Sequence, residues 1–192
     1  MHDIDTDYRD IVSEWFTESM SITFSHGISI DEVATAFDDL DTGRYLTYPE
    51  AVEESYEAFE AAGIGCAAIV GELGEWVVTV EPDGYKGNLW HVLQRLSRFD
   101  RAISVLCGHG TYNLSYVVRS QMVADLRLWD YSHRSAIESS ELDPYVDGLE
   151  FTENDLLVKA SALAVCARMT GERLDSDWLN RRHRRLIWED PD

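Results

Sequence analysis

The chain has 192 residues, enough for one sizeable core and short for two domains, and its 45% hydrophobic content excludes a disordered protein. Its formal net charge is −20, with 36 acids against 16 bases, so nucleic acid and anionic membranes should repel it and a basic surface should attract it. No apolar run reaches the roughly 18 residues of a membrane span, and residues 1–10 lack the basic start and apolar stretch of a secretory signal, so the expected residence is the cytoplasm.

In chain order, the pattern first predicts a helix over residues 8–18, with Ile11, Trp15 and Phe16 on its apolar side. A short strand at 22–24 follows. Ser29 and Glu32 then have the spacing of a capping box, in which the Ser side chain takes an amide at the helix start and the Glu reaches back. The helix they open carries Val33, Phe37 and Leu40 at helical spacing and should stop by Gly43. A second helix, over 49–62, starts at Pro49, which is favoured at a first helical position because its missing N–H has no partner there anyway. Val52, Tyr56 and Phe59 should face the core, leaving Glu50, Glu53, Glu54, Glu57 and Glu60 on the other side.

The period then changes. An apolar run at 66–70 leads to a turn at 71–74, and Trp76, Val78 and Val80 alternate as a strand that ends at the turn signal Pro82-Asp-Gly84. Asn88 should cap a helix carrying Leu89, Val92, Leu93 and Leu96. Strands follow at 102–107, 112–118 and 122–129. Keeping the apolar faces of the last two together favours a three-residue loop, Arg119-Ser-Gln121, which sets Val118 opposite Met122 and Leu114 opposite Leu126. Residues 130–151 read as a loop. Thr152 should cap a helix running to Thr170 and stopped by Gly171; small apolar residues surround it, which marks a buried helix. A last helix from about Asp177 should carry Trp178, Leu179, Leu186 and a basic cluster, Arg181, Arg182, Arg184 and Arg185, which in so acidic a chain should pair with the protein's own acids. The fold class is therefore α+β: one domain over 1–192, a mainly antiparallel sheet of about five or six strands, and flanking helices from both chain ends, with an acidic insert at about 38–62.

No catalytic or metal motif is legible. The six histidines lack zinc-ligand spacing, and the glycines fit neither a P-loop nor a dinucleotide fingerprint. Cys66, Cys107 and Cys166 are far apart among apolar residues and read as small buried hydrophobes. Cys107-Gly-His109 is the one place where a nucleophile and a base lie close, and no third group to orient them is readable nearby. No metal and no cofactor are expected.

Two stretches carry a resemblance: Ile22-Thr-Phe-Ser-His-Gly-Ile-Ser-Ile-Asp-Glu-Val33, and Gly74-Glu-Trp-Val-Val-Thr-Val-Glu-Pro-Asp-Gly-Tyr-Lys-Gly87. Both are similar to segments of an actinobacterial domain-of-unknown-function family, number 6461. In that family a strand leads through a glycine, a hydrophobic residue and Ser or Thr into a helix, and a later Gly-x-Trp strand ends in Glu-Pro-Asn/Asp-Gly. The region from Ala167 to Leu174 resembles its C-terminal part. The resemblance implies an α+β fold and no particular activity.

The charge is uneven. Residues 1–83 hold 20 acids and 2 bases; residues 84–192 hold 16 acids and 14 bases. This asymmetry points to a binding protein rather than an enzyme. The expected role is an acidic inhibitor or immunity-type protein that masks a basic site on a partner such as a nucleic-acid-cleaving toxin, through Asp38, Asp39, Asp41, Glu50, Glu53, Glu54, Glu57 and Glu60. A non-inhibitory regulatory or structural partner, and an enzyme with an unrecognised site, are the alternatives. The oligomeric state is not legible.

Overall fold

The computed structural model describes residues 4–40, 43–62, 64–108, 110–129 and 141–189. In chain order they form α1 (Ile4–Trp15), β1 (Met20–His26), α2 (Ile30–Ala36), β2 (Tyr45–Leu46), α3 (Tyr48–Ala62), β3 (Ile64–Leu73) and β4 (Trp76–Glu81). A 3-10 turn (Lys86–Asn88) precedes α4 (Trp90–Leu96), β5 (Arg101–Gly108), β6 (Thr111–Val118) and β7 (Gln121–Arg127). The chain ends with α5 (Asp143–Val146), α6 (Asp155–Thr170), α7 (Ser176–Asn180) and β8 (His183–Glu189).

The α+β class holds, with a larger sheet than expected: eight strands in the order β2-β8-β3-β4-β1-β5-β6-β7, every neighbouring pair antiparallel. Helices cover both faces. On one, α1, α3, α5, α6 and α7 enclose a core with Ile22, Phe24, Val78, Val80, Ile103 and Leu126. On the other, α2 and α4 cover Ala68, Val70, Ala102, Val117, Leu186 and Trp188. Because both faces are covered, all of β4 is buried, and its apolar-polar alternation carries no exposed side. The acidic stretch at 38–62 supplies β2 and α3 to this body, with Tyr48 and Ala51 in the core.

The capping box at Ser29 and Glu32 forms as the spacing predicts. A second one, unread in the sequence, opens α3: Thr47 N–H donates to Glu50 Oε2 at 2.8 Å, and Glu50 N–H returns to Thr47 Oγ1 at 3.4 Å. Three other expectations are corrected at helix ends. α2 ends at Ala36, so Leu40 lies beyond it and is 59% exposed. The residue before α4 is Leu89, with no side-chain cap, because Asn88 is used in the 3-10 turn. α6 is capped by Asn154, which accepts from Leu157 N–H, rather than by Thr152; it does end at Gly171, in the left-handed conformation at φ 75°. As its composition predicts, Val158 to Cys166 are buried all round.

α3 is rotated from its expected setting. Ala51 and Ser55 face inward and Val52 is half-buried, while Tyr56 is 54% exposed; the Phe59 side chain lies outside the described residues. The last predicted helix is mostly not a helix. α7 is five residues long, and the basic cluster runs into β8.

Candidate functional site

β8 decides what the acids of the first half can do. As a strand it sends alternate side chains to opposite faces. Arg184 therefore reaches the α2 side, where its Nη1 lies 2.6 Å from Asp31 and its Nη2 3.1 Å from Asp39. Arg185 reaches α3 and lies 3.1 Å from Glu54, which Arg44 also approaches at 3.6 Å. Arg182, just before the strand, holds Glu50 at 2.6 Å. Further along, Asp38 pairs with Arg95 at 2.9 Å and with Lys86 at 3.6 Å. Partial burial pushes the Asp38 carboxyl up, but Arg95 and Lys86 together hold it below the usual range.

Asp39 has a second task. Its side chain is 3% exposed, and its Oδ1 accepts the Ile187 N–H at 2.9 Å. With Leu40 N–H donating to Ile187 O and Arg185 N–H to Arg44 O, the segment around Asp39 closes the outer edge of β8 that the two-residue β2 leaves bare.

The eight acids expected to form one surface are thus sorted into two kinds. Asp38, Asp39, Glu50 and Glu54 are tied to the chain's own bases. Glu53 and Glu57 are exposed on the outer side of α3 and form no ion pair among the described residues. Asp41 and the Glu60 side chain lie outside the described residues. Helical spacing produces this split. Glu50 and Glu54, four apart, share the edge of α3 that faces the arginines, and Glu53 and Glu57 share the next edge outward.

Flanking those outer acids, on the far side of Glu53, stands Tyr56, which sequence reasoning assigned to the core. Its hydroxyl donates to Glu18 Oε2 at 3.2 Å, fixing the ring against the link between α1 and β1. The bond to Glu18, more than any other factor, raises the phenol above its ordinary pKa, and the Asp83 charge adds to it. An exposed, anchored aromatic ring is thus set among carboxylates. Tyr is among the residues enriched at binding hot spots.

A second constellation explains a motif. Glu81, the last residue of β4, is fully buried and accepts N–H groups from Lys86 and Gly87 at 2.8 Å each and the Ser21 hydroxyl at 3.2 Å. Burial pushes its carboxyl up to about 7, against the pull of those three donors. The loop from Pro82 to Asn88 is thereby clasped onto the sheet. A Cβ on Gly87 would overlap Thr23 Oγ1, so the close approach requires glycine. Beneath it, one residue from every strand forms a row across the sheet: Tyr45, Arg184, Val70, Thr79, Thr23, Ser104, Ser115 and Asp125. Thr23 and Ser104 share a hydrogen bond of 3.1 Å, and Ser104 donates to Gly87 O at 3.3 Å.

Other reactive side chains are engaged in packing. His26 Nδ1 lies 2.5 Å from Asp100, beside the Trp76 ring. Cys107 is fully buried, and burial pushes its thiol far above the range a nucleophile needs; His109 lies outside the described residues. Among the described residues no three His, Cys, Asp or Glu side chains converge as metal ligands. No helix there is long and apolar enough to cross a membrane.

Residues 3–183 match DUF6461, a family of unknown function. The chain belongs to that family. No curated protein and no solved structure matches it. The two sequence stretches that carry the DUF6461 resemblance are far apart in the chain yet adjacent in the sheet. β1 pairs with β4 from Ser21 opposite Glu81 to His26 opposite Trp76. The Glu81-Pro-Asp-Gly84 stretch of this chain contains a carboxylate that holds its own loop.

Proposed function

We propose that this protein is a binding protein rather than an enzyme, and that it docks the outer side of α3 onto a basic surface of a partner protein. The role that best fits is an inhibitor or immunity-type protein acting in the cytoplasm, masking a basic site such as that of a nucleic-acid-cleaving toxin. One observation carries the reading. The chain's own arginines neutralise the acids on the inner edge of α3 and leave Glu53 and Glu57 outward beside the anchored Tyr56. Such a surface offers a guanidinium both a ring face to stack on and carboxylates to bond.

The test is kinetic. A partner captured from the source cell is mixed with the wild-type chain and with the double variant Glu53→Lys/Glu57→Lys, at low and high salt. Electrostatic steering acts on association and weakens as salt screens it. The double variant should associate about tenfold more slowly at low salt, with a smaller change in dissociation, and the gap should close at high salt. An association rate unchanged by the substitutions would overturn the proposal.

A further inference from the structure

We draw no further inference here: the strongest candidate, the open groove of about 460 Å³ floored by Val70 and Val77 between the start of α2 and β8, carries nothing, because its two guanidiniums, Arg182 and Arg184, are already held by Glu50, Asp31 and Asp39 and nothing in the structure shows what covers its apolar floor.

Discussion

Lys159 is fully buried, and its ammonium has no capacity left for chemistry. Its Nζ donates to Phe16 O at 2.9 Å, Glu18 O at 3.0 Å and Asp155 Oδ2 at 2.8 Å, with Thr17 O farther off at 3.4 Å. It gathers the carbonyls at the end of α1 and ties them to α6. Replacing it with Met would keep the packing volume and strand those acceptors. Lys159→Met should therefore lower stability by about 1–3 kcal/mol, the usual cost of leaving a buried acceptor unsatisfied, since Asp155 itself is 42% exposed; a urea midpoint at unchanged slope reads it. Glu81 makes the opposite kind of residue-scale prediction. Its folded pKa is about 7 against an ordinary 4.5, so between those values the folded chain holds a proton that the unfolded chain releases. The stability this contributes is complete below about pH 4.5 and is lost as pH rises through about 7, on the order of 3 kcal/mol in all. Glu81→Gln cannot titrate. Wild type should lose stability relative to this variant between about pH 4.5 and 7, the window between the two pKa values, and a constant difference across that range would show that the carboxyl is ionised throughout.

Elements were legible where the signal is local. The Ser29–Glu32 box and the small-residue pattern of α6 need only their own segment, and both were readable. The β6–β7 hairpin was readable in part. Leu114 does face Leu126, as matching apolar faces requires, but Val118 faces Gln121 and Val117 faces Met122. The turn is two residues, Arg119 and Ser120, both with positive φ, and a bulge after Met122 restores the register. Neither residue advertises that conformation. Ser120 is held in it by non-local bonds: its hydroxyl donates to Gln94 O and its N–H donates to Ser97 Oγ. Arg119→Asn, which suits such a turn, should raise stability by several tenths of a kcal/mol, and Arg119→Val should lower it by about 1–2 kcal/mol. Equal midpoints for the two variants would contradict this backbone assignment. β8 was misread as helix because both its faces are buried, which hides the alternation. Its setting also depends on a distant residue: a Cβ on Gly71 would overlap the His183 imidazole, which stacks on Trp178 at 3.8 Å.

At the scale of the whole molecule, the sequence showed how much negative charge there is but not which acids are free. The expectation that the Arg cluster pairs with the chain's own acids holds in Arg182, Arg184 and Arg185. What could not be read is that three of these partners, Asp39, Glu50 and Glu54, would be drawn from the residues assigned to binding, with Asp31 added from outside them. The choice depends on which edge of α3 meets β8, a tertiary fact. The same acids should therefore divide by experiment. Asp39→Ala strands the Ile187 N–H and leaves Arg184 short of a partner, and should cost about 2 kcal/mol. Glu53→Gln should stay within about 0.5 kcal/mol of wild type, as exposed substitutions usually do. Thermal or urea unfolding of both variants checks this. The most direct test of the binding surface needs no identified partner: an amide-resolved NMR titration of the full chain with an arginine-rich peptide at low salt. The largest shifts should fall on Glu53, Tyr56, Glu57 and Glu18, and should vanish as salt is raised. Shifts spread evenly over the acidic surface, or gathered at Asp31 and Asp38, would contradict the assignment of α3 as the docking face.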